Sequence, residues 1–476
     1  MFIRSIIIIF LLLCSTWQLA ASPATWLDEG TNLGIANSLI HHGVYSLEVG
    51  PEQFVAERPF LITTNYPVIL PVAASLILFN QGEPSLLVAR LPMVLYLWLF
   101  CALLFILVRR LSSREWAPWL AVALVATFAP LYGNGKAVLG EVPGLVFLLA
   151  GILVLPREFK PWRVIGAGIL FGLSIASKPF FLIIGPAILA SELYFYWSDK
   201  KNLVKRLGLL AVGALGPVVG WLATILPSFS LSALGTTGNY YANSYAASGF
   251  LQILGANIVR FVSESTPIHF LFGMVALGIF LKKRRSSGEL TAAEIIIGVF
   301  TLINFLWYLK TPGWYRYFFP AHVLVLGILP VTLYKVISRQ TIATVILLFL
   351  CLIQTGQVIS KANDPLYYSN AATEFVAKVP EHAEVGENIL VINSPSAAFL
   401  LSNKYKLTQL LQINEQLHFG SNELNPGGVW YPYVITMGSV ATTSLVDGEV
   451  ILAKEYEPVL ITRKYQLHKK KYYVRN

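Results

Sequence analysis

The stretch Leu91-Pro-Met-Val-Leu-Tyr-Leu-Trp-Leu-Phe-Cys-Ala-Leu-Leu-Phe-Ile-Leu-Val108 carries no charged side chain and runs directly into Arg109 and Arg110. A long apolar run with basic residues at its end is typical of a membrane-spanning helix. The blocks Ile6 to Leu13 and Val345 to Ile353 likewise lack the polar alternation of half-buried elements. The 476-residue chain is 55% hydrophobic and only 13% charged, with a mean hydropathy of +0.63. These features predict a polytopic α-helical membrane protein.

The apolar segments divide the first three quarters of the chain into spans. We predict eleven spanning helices, near residues 2–21, 86–108, 117–133, 142–156, 164–178, 179–197, 207–226, 267–281, 292–309, 317–334 and 342–359. The run from Tyr66 to Phe79 is short and contains Pro67 and Pro71, so it is predicted as an interfacial or re-entrant helix. The first segment has a second interpretation as a cleaved signal peptide, because Leu19 to Ser22 offers small residues for cleavage.

The basic residues indicate how the chain is oriented. Lys and Arg number 35 against 25 acidic residues, a net charge of +10. With the N-terminus in the cytoplasm, cytoplasmic connections hold seventeen basic residues and the opposite connections hold six, as the positive-inside rule requires. We therefore expect a multi-pass protein of the plasma (inner) membrane with its C-terminus outside. No basic stripe is interleaved with aromatic residues, which excludes nucleic acid as a partner. The three cysteines, Cys14, Cys101 and Cys351, fall in apolar segments and predict neither a disulfide nor a metal site.

The chain changes character at residue 360. Residues 1–359 form the predicted transmembrane domain, with long outer segments at 23–85 and 227–266 that serve either as lids and binding loops or as plain linkers. Residues 360–476 hold eleven basic and eleven acidic side chains and predict a small extracytoplasmic α/β domain. Its predicted elements are a helix from Tyr368 to Val379 and strands at Ile389 to Ile392, Val434 to Met437 and Val450 to Ala453. The basic end, His468 to Lys471, either rests on anionic headgroups or is solvated.

Two acidic sites stand at the predicted outer membrane surface. Asp28 and Glu29 directly follow the first apolar segment, where they serve either as reactive carboxylates or as ordinary acids at a helix N-terminus. Glu141 lies in Lys136-Ala-Val-Leu-Gly-Glu141, and a charge at membrane depth is costly. Glu141 and Lys136 either pair with each other or take part in chemistry.

Cations are predicted at the same membrane face. Lys178 separates two apolar segments without a polar loop, so that it either extends its ammonium to water or holds an anion. Arg316 lies in Trp314-Tyr-Arg316-Tyr317, which suits either phosphate binding or anchoring in an aromatic belt. Together with Arg58, these cations and the carboxylates predict a site that handles a lipid phosphate beside a general base. Motifs of ATPases, zinc proteases, serine hydrolases and haem proteins are absent from the sequence.

An ordered series of short motifs carries a family resemblance. The series is Asp28-Glu29, Gly43-Val-Tyr45, Tyr66-Pro67, Ala89-Arg90-Leu91, the segment Gly172-Leu173 to Lys178-Pro179, and Arg316-Tyr317 with Pro320. In this order the chain resembles the membrane glycosyltransferases of the GT-C fold, above all the protein O-mannosyltransferases and the bacterial aminoarabinose transferase of lipid A. The resemblance covers nearly all of residues 1–359.

The resemblance implies an inverting transfer of a sugar from a polyprenyl-phosphate carrier to a lipid, glycan or protein acceptor at the outer face. It implies that Asp28 is the base or organises the acceptor, that Glu29 is its partner, and that Glu141 is a second acidic residue. It further implies donor phosphate binding, and the residues matched to that role are Lys178, Arg316, Arg58, Tyr66 and Tyr317. A divalent cation takes part in some members and not in others, and two carboxylates do not decide between them.

Two other classes of function remain open. A transporter or flippase of a lipid-linked precursor should show internal repeats with broken helices, and no repeat is detected. A non-catalytic scaffold of the cell envelope would carry the same charged residues as simple anchors.

Overall fold

The computed structural model describes residues 2–25, 27–51, 53–55, 65–224, 249–311, 315–362, 364, 368–413, 416–419, 431–437 and 455–471. Arg58 and the predicted strand at 450–453 lie outside these residues.

The described residues up to 361 are mostly helical. The α-helices are α1 (Phe2–Thr16), α2 (Leu27–His42), α3 (Tyr66–Asn80), α4 (Leu86–Leu111), α5 (Ala117–Ala126), α6 (Ala129–Gly135), α7 (Glu141–Val154), α8 (Pro161–Ser177), α9 (Ile184–Tyr196), α10 (Lys200–Ala223), α11 (Phe250–Glu264), α12 (Pro267–Ser286), α13 (Ala292–Lys310), α14 (Phe319–Val336) and α15 (Gln340–Lys361). Two 3₁₀ helices, Pro179–Ile183 and Tyr315–Tyr317, precede α9 and α14. A two-stranded antiparallel sheet, β1 (Leu47–Gly50) and β2 (Gln53–Val55), follows α2.

The helices confirm a membrane protein but not the predicted number of spans. Among the described residues, six helices are long and apolar enough to cross a membrane, or eight if each of two bent helix pairs is one span. The expected helices α1, α7 and α8 are apolar but shorter, so the count of eleven is not confirmed. Helix α3 is also short: its 15 residues rise about 22 Å, less than the roughly 30 Å hydrocarbon core.

Prolines account for the two bends. Helices α5 and α6, predicted as one helix over 117–133, meet at 68°, and Pro130 lies in the first turn of α6. Helices α11 and α12 meet at 102°, where Pro267 opens α12. Proline removes a backbone donor and clashes with the preceding turn, so that each helix ends before it.

The described residues from 371 to 470 form a mixed sheet with short helices. The helices are α16 (Ala371–Lys378) and α17 (Pro395–Leu401), with a 3₁₀ turn at Val379–Glu381; the strands are β3 (Asn388–Ile392), β4 (Lys406–Ile413), β5 (Gln416–Phe419), β6 (Tyr433–Met437), β7 (Tyr456–Ile461) and β8 (Tyr465–Lys470). The described strands are ordered β5-β4-β3-β6-β8-β7, with β3 parallel to both β4 and β6. The core pairs Phe375 of α16 with strand residues such as Ile389 and Leu467. The predicted basic tail, His468 to Lys471, is largely part of β8 and pairs with β6 and β7.

The C-terminal domain is docked on α2 and the segments beside it. A Cβ built on Gly30 would lie 2.5 Å from the backbone nitrogen of Ser396, so α17 approaches α2 at a point where only glycine fits. Gln409 of β4 donates to the Glu48 carbonyl at 2.7 Å. The helix that carries Asp28 and Glu29 is therefore held between the helical domain and the C-terminal domain.

Candidate functional site

Asp28 and Arg316 meet at the N-terminal end of α2. Asp28 is in the first turn of α2, and Arg316 is in the 3₁₀ helix before α14. Arg316 Nη2 donates to Asp28 Oδ2 at 2.6 Å, and the two side chains are 12% and 27% exposed. Asp28 keeps enough exposure to be reached by a ligand.

Lys178 and Glu141 form a second ion pair. Lys178 has an extended backbone between α8 and the 3₁₀ helix, because the following Pro179 disfavours helical geometry at this position. Its ammonium donates to Glu141 Oε1, and the Glu141 side chain is fully buried at the start of α7. The second oxygen, Glu141 Oε2, accepts no hydrogen bond within the described part of the chain.

A glycine allows the two segments of this pair to touch. A Cβ on Gly140 would lie 1.9 Å from the carbonyl oxygen of Ser177. Asn65, just before α3, donates from Nδ2 to that same carbonyl at 2.8 Å. The backbones that present Glu141 and Lys178 are thereby packed together with no space between them.

Tyr317 joins the two ion pairs. Its ring centroid is 5.3 Å from Lys178 Nζ and 5.3 Å from Arg316 Cζ, distances at which cations interact with an aromatic face. Arg316 Nη2 also lies 3.5 Å from the Tyr317 hydroxyl. We call Asp28, Glu141, Lys178, Arg316 and Tyr317 the charged cluster.

The charges of the cluster influence one another. Burial lowers the pKa of Lys178, the neighbouring Arg316 lowers it further, and the carboxylates of Glu141 and Asp28 raise it. Two cations face two carboxylates, so the cluster as a whole is close to neutral. A phosphate that binds here must share the cations with carboxylates that already hold them.

Polar side chains that we did not select from the sequence hold the Arg316 turn. The Tyr315 hydroxyl lies 2.8 Å from His322 Nδ1, and both side chains are buried. Asn304 of α13 donates to the Tyr317 carbonyl at 3.2 Å. The only sequence signal for His322 and Asn304 was a polar residue inside an apolar run, which does not specify a partner.

Glu29 faces away from the charged cluster. Arg90 of α4 grips its carboxylate with two hydrogen bonds, Nε to Oε1 and Nη2 to Oε2, each 2.8 Å, and both side chains are fully buried. Arg90 also donates to the carbonyls of Leu19 and Pro23, and the Val138 N–H donates to Glu29. These contacts fasten α2 to α4 and to the segment that follows α1.

The remaining predicted residues take other positions. Tyr66 donates to the Pro217 carbonyl of α10 at 3.2 Å and bonds to no member of the charged cluster. Lys136 donates to the Trp17 carbonyl and to Ser22 Oγ, both at 3.0 Å. The alternative that Lys136 pairs with Glu141 is wrong, because Lys178 takes that carboxylate.

A divalent cation would find few ligands in this part of the structure. Within the described ranges no three His, Cys, Asp or Glu side chains gather in a group suited to a metal ion. The carboxylates of Asp28 and Glu141 each face a protein cation instead.

Sequence comparisons with known proteins do not identify a family for this chain. No family model matches the chain. A segment is 31% identical over 132 residues to Bax inhibitor 1 of Drosophila melanogaster, which is 25% of this chain and 50% of that protein. The chain thus matches only half the length of this curated relative, and nothing about its activity is carried over.

Solved structures resemble the chain over more than nine tenths of its length. ArnT from Cupriavidus metallidurans, bound to undecaprenyl phosphate, is 12% identical with a TM-score of 0.60, covering 98% of this chain and 97% of that one. The oligosaccharyltransferase AglB from Archaeoglobus fulgidus, in complex with an inhibitory peptide and a dolichol-phosphate, is 13% identical with a TM-score of 0.56, covering 92% of this chain and 69% of that one. Both are GT-C glycosyltransferases. The chain therefore has the GT-C fold, as the motif series predicted.

Proposed function

We propose that this protein transfers a sugar from a polyprenyl-phosphate donor to a lipid, glycan or protein acceptor at the outer face of the membrane, with inversion at the anomeric carbon. The observation that carries the proposal is the charged cluster, in which Asp28 and Glu141 meet Arg316 and Lys178 around Tyr317. A GT-C fold with a lipid-phosphate-bound neighbour supports the same activity.

The reaction needs one carboxylate and a phosphate-binding pair of cations. The Asp28 carboxylate accepts the proton of the acceptor hydroxyl as the acceptor oxygen bonds to the anomeric carbon. The bond from that carbon to the phosphate oxygen breaks on the opposite face of the sugar. The electron pair stays on the polyprenyl phosphate, whose growing charge Lys178 and Arg316 stabilise.

Glu141 has a separate part in this scheme. Its Oε1 accepts from Lys178 and so orients the ammonium toward Tyr317. Its second oxygen, Oε2, is buried in the charged cluster and is suited to accept a hydrogen bond from a hydroxyl group of the donor sugar.

The site requires that α2 and the C-terminal domain lie outside the cytoplasm. We propose an N-terminus in the cytoplasm and a C-terminal domain on the outer side of the plasma (inner) membrane, in line with the charge bias of the connections. A reporter fused after Asn476 tests this orientation. We expect a reporter that works only outside the cytoplasm to be active, and a reporter that works only in the cytoplasm to be silent. The opposite result would contradict the proposed topology.

The activity is tested on the full chain in proteoliposomes with a set of polyprenyl-phosphate sugars. Asp28→Asn should abolish sugar transfer while the protein stays folded, whereas Glu457→Gln, at an exposed carboxylate of β7, should leave transfer unchanged. Full sugar transfer by Asp28→Asn would show that Asp28 is not the catalytic base. Movement of the donor across the bilayer without transfer by the unmodified protein would instead identify a flippase.

A further inference from the structure

A cavity of about 190 Å³ lies between α2 and the C-terminal domain, apart from the charged cluster. Asn37 and Ser38 of α2 line one wall and Glu48 of β1 another, while Phe399 and Lys406 line the side of the C-terminal domain. At about 30 Å³ per water molecule, the space equals roughly six waters. It therefore admits a ligand of the size of one sugar ring.

Asn37 is a buried polar residue whose side-chain oxygen receives no hydrogen bond from the described residues. The residue is 5% exposed, and its Oδ1 accepts no hydrogen bond from the described parts of the chain. An unmatched buried oxygen is unfavourable, and structures rarely keep one without a water or a ligand to satisfy it. The Asn37 amide therefore points to a hydroxyl-bearing ligand in the cavity.

The walls of the cavity are fixed before a ligand arrives. Ser38 Oγ donates to the Gly34 carbonyl at 3.1 Å and accepts from the Glu48 N–H at 3.2 Å. The Gln409 side chain binds the carbonyl of the same Glu48 at 2.7 Å. Because α2, β1 and β4 are tied together through one residue, the cavity needs no rearrangement to form.

The lining favours a neutral, polyhydroxylated ligand. The lining carries one carboxylate, Glu48, and one ammonium, Lys406, so its fixed charges offset each other. Amide, hydroxyl and carboxylate groups alternate with the aromatic residues Phe399 and Tyr405. Closely spaced hydrogen-bonding groups beside an aromatic face suit a ring that carries several hydroxyl groups.

We propose that this cavity binds one sugar unit of a glycan acceptor, an inference that rests on the proposed glycosyl transfer. Asn37 follows Asp28 by nine residues on α2, which corresponds to about 14 Å along the helix axis. The same helix thus carries the catalytic base at one end and the acceptor-binding cavity further along. This arrangement selects glycan acceptors by a sugar that is not the one modified.

Binding is measured first, without the reaction. The purified full chain in nanodiscs is mixed with mannose, galactose or glucose, and contact is recorded by saturation-transfer difference NMR. We expect a signal with at least one of the three sugars, retained in Asp28→Asn and reduced at least fivefold in Asn37→Leu. Ser402→Trp, which fills the cavity rim from a half-buried position, should reduce it equally, and Lys404→Ala, exposed and outside the lining, should not. No signal with any sugar, or equal signals in all variants, would overturn the proposal.

Kinetics then separate this inference from the proposed function. Ser402→Trp should raise the KM for a glycan acceptor at least fivefold and leave the KM for the donor and the rate of donor hydrolysis by water unchanged. Transfer with an unchanged acceptor KM in both cavity variants would reject the cavity as an acceptor site and keep the glycosyltransferase. Sugar binding without any transfer would reject the glycosyltransferase, and the acceptor role with it.

Discussion

Arg316 and Asp28 are 288 positions apart in the sequence, and Arg316 Nη2 donates to Asp28 Oδ2 at 2.6 Å. Arg316, which is proposed to bind the phosphate, and Asp28, the proposed base, are thus hydrogen-bonded to each other before a substrate arrives. A carrier phosphate that takes Arg316 releases the carboxylate for the acceptor hydroxyl. Donor binding therefore prepares the base, and we expect the donor to bind before the acceptor.

Removal of the Asp28 charge should strengthen the binding of the carrier. We expect Asp28→Asn to bind undecaprenyl phosphate more tightly, by up to about tenfold, since about 1.4 kcal/mol of lost competition corresponds to that factor. Undecaprenyl phosphate carries no sugar, so the titration in nanodiscs is free of turnover. Glu457→Gln serves as the control. Weaker binding by Asp28→Asn would mean that Asp28 orients Arg316 rather than competing for it.

The use of donor should depend on pH through Lys178. Burial lowers the pKa of this lysine from its ordinary 10.5, so its ammonium is lost at a lower pH than that of a free lysine. We expect the KM for the donor to rise over an alkaline range that begins below the ordinary titration of a free lysine, because a neutral amine holds phosphate poorly. Lys178→Arg stays charged over this range and should show a flat profile. The same alkaline rise in Lys178→Arg would assign the titration to another group.

His322 should act on the site through Tyr315. The 2.8 Å contact between the Tyr315 hydroxyl and His322 Nδ1 holds the turn that presents Arg316. We expect Tyr315→Phe and His322→Phe each to lower kcat/KM for the donor by about threefold to tenfold, as loss of one hydrogen bond of about 1 kcal/mol would do. The double variant should be no worse than either single variant, because both remove one interaction. Additive losses would show two independent roles.

Glu29 should govern stability rather than chemistry. Breaking its buried pair with Arg90 leaves an unpaired buried charge and costs about 3–5 kcal/mol. We therefore expect Glu29→Gln to lower the Tm of the detergent-solubilised protein and to leave the transfer rate per folded molecule unchanged. Replacing both residues by methionine should recover part of the lost stability. A normal Tm with lost transfer would restore Glu29 as the catalytic partner predicted from the sequence.

Gly30 should control how firmly the C-terminal domain is docked. A Cβ at this position would meet the backbone of Ser396 at 2.5 Å, which no side-chain motion relieves. Gly30→Ala should therefore cost about 1–3 kcal/mol and raise the rate at which a protease cuts the C-terminal domain. Gly208→Ala is the control, because a Cβ at Gly208 of α10 meets nothing within 4 Å. Equal protection in both variants would contradict tight docking.

Much of the helical domain follows from composition alone. Apolar runs with basic ends are local signals, and helices such as α4 and α13 were predicted within a few residues of their ends. The meeting of Asp28, Glu141, Lys178 and Arg316 was expected because a topology from charge bias places all four at one membrane face. The number of membrane spans was harder to predict, because a short or bent helix cannot be recognised as a span from the length of its apolar run.

Side-chain pairing could not be predicted in the same way. Successive helix residues point about 100° apart, so Asp28 and Glu29 face different neighbours although they are equivalent in the sequence. Which of the two carboxylates faces the charged cluster depends on where Arg90 of α4 lies, and that is a tertiary contact. Likewise the sequence offered Lys136 as a partner of Glu141, whereas the structure pairs Glu141 with Lys178, which follows the close contact of Gly140 with Ser177.

That contact also determines how substrates reach the cluster. Gly140 packs directly against the Ser177 carbonyl, and Asn65 Nδ2 donates to the same carbonyl, so that the segments carrying Glu141 and Lys178 leave no room for a sugar at this point. The opposite wall, formed by the exposed side of Asp28 and the turn with Arg316, is fastened by a partly exposed ion pair. We therefore expect the segments of Glu141 and Lys178 to stay in place and the turn with Arg316 to move. Donor and acceptor should then reach the cluster on the side of Asp28.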